Sequence, residues 1–172
     1  MIAGDLMNTI PKPKKRKKKG RKSKAELIML ESKPFDKYWE NKCERMFWKI
    51  YYAQYSTGTC QVGKIIGFHE CTGNIMGHHL ILRDNYLYRW DFNNIFDICG
   101  HHHDRFNKKL SPHGTPARFM AWLSEHYPEK WEMVKANKHV ITRKVELPWT
   151  FREKYFELNA LWEKISYQES LN

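Results

Sequence analysis

Apolar and polar positions follow different periods in different parts of this chain. From 35 to 55 the apolar residues Phe35, Tyr38, Trp39, Met46, Phe47, Ile50, Tyr51 and Tyr55 recur mostly three or four apart. That is the period of an amphipathic helix, with Asp36 able to cap it and Ser56-Thr57-Gly58 to end it. Residues 59–67 (TCQVGKIIG) are compatible with a strand between glycines, and 68–73 with a tight turn. Residues 75–82 suit a further strand, in which Gly77 permits a close backbone approach. Arg83-Asp84-Asn85 reads as a loop tip, 86–92 as a hairpin return or an irregular loop, and 94–99 as a short extended piece. A helix begins at His101, runs to about Leu110, and is stopped by the SPHGTP segment at 111–116. Helical spacing returns with Phe119, Met120, Trp122 and Leu123, and again behind Pro128 with Trp131, Met133 and Val134. After an extended link at 139–147, a last helix begins at Pro148 and carries Trp149, Phe151, Tyr155, Phe156, Leu158, Leu161, Trp162 and Ile165. Trp122, Trp131, Trp149 and Trp162 lie on these helical stripes and read as core. Residues 25–33 form a short strand or a helical turn that Pro34 breaks, and there is no internal repeat.

Charge changes this picture at one end. The chain of 172 residues carries a net charge of +11, and residues 12–24 hold ten cations (Lys12, Lys14, Lys15, Arg16, Lys17, Lys18, Lys19, Arg21, Lys22 and Lys24) with no acid. The remainder is therefore close to neutral, at 11 − 10 = +1. Like charges at that density with nothing apolar to bury predict a disordered arm over 1–24, an electrostatic tether for a polyanion or a nuclear-type address. The expected organisation is this arm, an N-terminal helical region over 25–57, a core over 58–112 and a C-terminal helical support over 113–172. No apolar stretch approaches the roughly 20 residues of a membrane span. The first ten residues lack the apolar core of a secretory signal, so a cytoplasmic location is expected. There, thiols stay reduced, and cysteines interleaved with histidines suggest metal before disulfides. Of Cys43, Cys60, Cys71 and Cys99, only Cys43 stands apart, on the first helix, where it reads as a small core residue.

The central stretch holds the chemistry. Cleaving a phosphodiester requires a proton taken from water, a polarised phosphate and a stabilised leaving oxygen. A neutral histidine can do the first and a cation the other two. His78 and His79 are adjacent on an expected strand, where neighbouring side chains face opposite ways. A local twist there still allows one on a metal and the other near the scissile bond.

Gly77-His78-His79, Asn94-Ile95 and Cys99-x-x-His102-His103-x-x-x-Asn107 resemble the HNH (ββα-metal, His-Me finger) endonucleases over roughly residues 58–110, with 15 positions from His79 to Asn94 and 9 from Asn94 to His103. A looser likeness is to phage NinG-type and Ref-like recombination nucleases. The resemblance implies an α+β fold with a small ββα-metal core and zinc knuckle, flanked by N- and C-terminal helices. It implies a metal-dependent DNA endonuclease, with one catalytic Mg2+, Mn2+ or Zn2+ and one structural Zn2+. His78 and His103 would ligate the catalytic ion, with Asn107 as third ligand directly or through water. His79 would be the general base, and Asn94 would orient His79 or the loop bearing it. The structural zinc of such enzymes comes from two C-x-x-C pairs, and this chain departs from that. Here Cys71, Cys99 and His102 are expected, completed by Cys60 or His69, with Cys60 better in ligand type and His69 too close to Cys71 for an easy chelate. If neither reaches, an apolar knuckle replaces the ion. Arg83, Arg89 and Arg105 are candidate phosphate contacts beside Lys14, Lys15, Arg16, Lys17, Lys18, Lys19, Arg21 and Lys22 of the arm. His101, His113, His126 and His139 read as bystanders. DNA is the expected partner, in a phage-encoded or recombination setting, and either a nicking monomer or a homodimer fits. The alternative is a non-catalytic zinc-containing protein that binds nucleic acid, against which the persistence of His79 argues.

Overall fold

The computed structural model describes residues 37–140 and 146–170, with isolated positions at 23, 25, 26, 29, 33 and 142. The cationic residues from Lys12 to Lys24 lie outside the described residues, as do most of 25–33 and part of 139–147.

The first periodic stretch folds as helix α1 (Lys37–Ile50), which runs on into one π turn (Tyr51–Tyr55). It buries Trp39, Cys43, Phe47, Ile50 and Tyr51 along one stripe. Residues 59–67 do not form the expected strand. They make helix α2 (Gln61–Ile66), capped by Cys60, whose Sγ accepts from the Gly63 amide at 3.4 Å. Three apolar residues between glycines suit either geometry. Here the cap places the Cys60 thiol inward, 3.3 Å from His102 Nδ1.

Strand β1 (Ile75–His79) pairs antiparallel with β2 (Ile95–Cys99), in a register that sets His79 opposite Ile95, His78 opposite Phe96 and Ile75 opposite Cys99. Every residue of β2 is buried, because helices cover both faces of this hairpin. Ile95 joins the core formed with α1 and with α6 (Phe151–Glu169). Phe96 and Ile98 join a second core with α4 (Pro116–His126) and α5 (Pro128–Asn137). The buried carboxylate of Asp97 ties β2 to the end of α1, accepting from Tyr51 Oη at 2.8 Å, Ser56 Oγ at 2.9 Å and the Thr57 amide at 2.6 Å.

The helix expected over 101–110 is only α3 (Gly100–His103), because Asp104 turns to extended backbone (φ −64°, ψ 131°). The last helix starts at Phe151 rather than Pro148, where Thr150 and Glu153 form a reciprocal capping box. It packs back along α1, so the N- and C-terminal helical regions close one core together. Of the tryptophans read as core, Trp122 is buried in the α4–α5 core and Trp149 and Trp162 pack on the other, while Trp131 is half-buried. Cys43 is fully buried against the Phe151 carbonyl, and burial pushes its thiol up to about 12. The whole is an α+β fold of six helices and a two-stranded sheet among the described residues. None of those helices is long and apolar enough to cross a membrane.

Candidate metal centres and catalytic cleft

The hairpin and α3 serve two clusters at once. Successive residues of a helical turn point in different directions, and His102 and His103 use this. His102 faces the cysteines, and His103 faces His78.

Cys60, Cys71, Cys99 and His102 converge with all four ligand atoms within 4.8 Å of one another. His102 Nδ1 lies 3.3, 3.7 and 3.2 Å from the sulfurs of Cys60, Cys71 and Cys99. A tetrahedral zinc with ordinary bond lengths has nitrogen-to-sulfur edges of about 3.6 Å. The donor set and the geometry therefore fit, and this cluster could hold a zinc ion. Cys60 completes it. His69, the other candidate, is exposed and turned towards Glu70 at 3.9 Å. Burial, followed by hydrogen bonding to Cys60, raises the Cys71 thiol to about 12. At Cys99 burial pulls the same way, but the His102 amide and the other two thiols outweigh it and lower the group. His102 Nε2 is buried without a hydrogen-bond partner, and Glu70, His101 and His102 each bring one possible ligand atom within 4.8 Å of the others.

The second cluster is His78, His103 and His113. Ring centroids lie 5.3 Å apart for His78–His103, 5.0 Å for His78–His113 and 4.6 Å for His103–His113, and the Nε2 atoms of His103 and His113 approach to 3.3 Å. That separation is close to the edge of about 3.3 Å between two imidazole nitrogens on a tetrahedral ion. Burial, then His113 and His103, lowers His78 to about 3, and burial followed by His113 lowers His103. Both rings stay neutral and available as donors at physiological pH. His113, which reads as a bystander in the sequence, takes the third place. Asn107, expected there, does not reach it. Its Nδ2 donates to the carbonyls of His101 and Leu110, and its Oδ1 accepts from the amides of Lys109 and Leu110. The reason is the early end of α3, since a residue one helical turn past His103 needs a helix to carry it. The chain instead loops through Ser111, whose buried Oγ donates to the Asp104 carbonyl at 2.8 Å and accepts from the amides of His113 and Gly114. Gly114 packs so tightly on this loop that an added Cβ would strike the Asn107 carbonyl oxygen.

His79 points to the opposite face of β1 and is 9% exposed. Its Nε2 lies 3.0 Å from the Arg89 carbonyl oxygen. A carbonyl only accepts, so Nε2 carries the proton and Nδ1 the lone pair. Burial lowers its pKa, partly offset by the Arg89 bond. Asn94 is fully buried and fastens the loop that supplies this carbonyl. Its Oδ1 accepts from the Ile81 amide at 2.7 Å, and Nδ2 donates to the carbonyls of Ile81 (3.1 Å) and Tyr88 (3.0 Å). Arg89 is no phosphate contact: its guanidinium is buried on Glu40 (2.7 Å) and Glu44 (3.2 Å). Arg105 is exposed beside Phe106. Arg83 does line the cleft, with one hydrogen bond to Glu44 at 2.7 Å.

No family model, curated protein or solved structure matches the chain. The site therefore speaks through its own geometry. His78, His79, His103 and His113 line a single open cavity of about 480 Å³, shared with Trp48, Gly77 and Arg83. Two residues lining this cavity do not stand out in the sequence. His113 sits in a proline- and glycine-rich segment that reads as a helix stop. Trp48 falls off the apolar stripe of α1.

Proposed function

We propose that this chain is a metal-dependent DNA endonuclease of the HNH kind, using one catalytic cation and a histidine base. The observation that carries the reading is the divergence of His78 and His79 from one strand. The first enters a cluster of three imidazoles, the second is fixed by a backbone carbonyl, and both border the same cavity. His78, His103 and His113 would hold the ion, in place of the His-His-Asn set that the resemblance implies. When bound there, a divalent cation polarises a phosphate oxygen and stabilises the leaving oxygen. Three imidazoles suit Zn2+, Co2+ or Ni2+, and also Mn2+, better than the oxygen-seeking Mg2+.

His79 accepts the proton of the attacking water on Nδ1, while the Arg89 carbonyl holds the ring and stabilises the charge that develops on it. Asn94 keeps that carbonyl in place. Arg83 offers a fork to a phosphate at the rim. The ten cations of residues 12–24 favour a polyanionic substrate. The Cys60, Cys71, Cys99 and His102 cluster would hold the structural zinc that fixes α2, β2 and α3.

The test is a cleavage panel of duplex, single-stranded, flap and four-way-junction DNA with Mg2+, Mn2+, Co2+, Zn2+ and no metal. Cleavage that requires a divalent ion and is weakest with Mg2+ is expected. Tight binding without cleavage on any of them would favour the non-catalytic zinc protein instead.

A further inference from the structure

The outer face of α1 continues the wall of the cleft. Trp48 lines the cavity, and its ring stands edge-on to His79 at a centroid distance of 5.4 Å. Its Nε1 donates to Glu44 at 3.1 Å. It lies over Gly77, where a Cβ would come within 2.6 Å of the indole, so the missing side chain is what lets the ring reach the strand. Four residues on, Tyr52 stacks on Trp48 at 5.7 Å with 25° between the planes. Tyr52 is 51% exposed, yet its hydroxyl is held by the Gly77 amide at 3.3 Å, on the open edge of β1. Three residues before Trp48 on the same face is Arg45, exposed and without an ion-pair partner among the described residues.

Rings that served only to fill a core would be covered. These are fixed by hydrogen bonds and still present surface to solvent, next to the candidate base, with Arg45 one turn before Trp48 and Arg83 on the cavity wall. Aromatic faces of this kind take up nucleobases only when the bases are out of a duplex stack, and basic residues beside them track the backbone.

We propose that Trp48 and Tyr52 form a stacking platform for an unpaired nucleobase of a DNA strand entering the cleft. The protein would then engage flaps, gaps or junctions in preference to continuous duplex. The inference rests on reading that cavity as a nucleic-acid site, but its test does not depend on cleavage.

The experiment is fluorescence anisotropy with the full chain in a His79→Ala background, which prevents turnover, using a blunt duplex and a flap duplex of equal length. Tyr52→Ala is expected to weaken flap binding about tenfold and to leave blunt-duplex binding within about twofold. Tyr52→Phe, which keeps the ring, should bind the flap as the parent does. Equal losses on both DNAs, no loss on either, or a Phe variant as weak as the Ala variant would overturn the platform. If His79-dependent cleavage is seen while Tyr52→Ala binds flaps normally, the platform falls and the nuclease reading stands. A flap-specific loss in a protein that never cuts supports the platform and rejects the nuclease.

Discussion

His78 and His79 share a backbone and differ in everything else. One is pushed into a nitrogen cluster, the other onto a carbonyl oxygen. Lowered folded pKa values have a thermodynamic consequence. Between about 3 and 6.5 the unfolded chain binds a proton at His78 that the folded chain refuses. Stability therefore falls as pH drops through that window. Between pH 7 and pH 5, His78 alone should cost roughly 1–2 kcal/mol. Urea titrations of wild type and His78→Gln at the two pH values check this, with wild type losing more on acidification. Parallel losses would remove His78 as the cause. At the histidine cluster, His113→Ala should weaken Co2+ binding by more than about tenfold, whereas Asn107→Ala should leave it within about threefold and lower stability instead. Isothermal titration of the two variants distinguishes the ligand from the loop fastener. Asn94→Ala, which orphans buried backbone groups at Ile81 and Tyr88, should cost roughly 2–3 kcal/mol in a denaturation curve.

Short elements decide the geometry here, and they mark where sequence reasoning holds and where it stops. Extended segments over 75–82 and 94–99 were legible, but their pairing was not, because 86–92 reads equally as a hairpin return or an irregular loop, and the ββα order came from the resemblance. The resemblance implied Cys71, Cys99 and His102 with Cys60 or His69, and the structure brings Cys60 to the other three in a cluster that could hold zinc. The length of α3 was not legible. His101 to Leu110 contains nothing that forbids a helix, and its end at Asp104 is set by tertiary bonds from Asn107 and Ser111. That His113 rather than Asn107 gathers with His78 and His103 follows from that one boundary. The α2 helix was misread because Cys60, its local cap on the Gly63 amide, is held inward by a tertiary contact with His102. By contrast, the Thr150-x-x-Glu153 box was present to be read. Gly114→Ala tests the loop as an element. Its Cβ would push the His113 segment off the Asn107 carbonyl, costing roughly 1–3 kcal/mol and loosening Co2+ binding together. Stability lost without any change in Co2+ affinity would separate the loop from the site.

Across the molecule, two cores clasp one hairpin, and the two clusters meet at α3. Removing an ion from the Cys60–His102 cluster should therefore affect the whole fold. Strong chelation is expected to lower the melting temperature and to release α2 and α3 to hydrogen exchange before α1 and α6. The cationic arm acts at the same scale. Deleting residues 1–24 should weaken DNA binding at moderate salt and flatten its dependence on salt concentration, because fewer counterions are released. The deletion should leave Co2+ binding at the histidine cluster unchanged.

The most direct test of the account is plasmid nicking by wild type and His79→Ala, each shown by metal analysis to carry the same ions. The variant is expected to keep its metal and its fold but to cut at least 100-fold more slowly. Equal rates from the two proteins would contradict it.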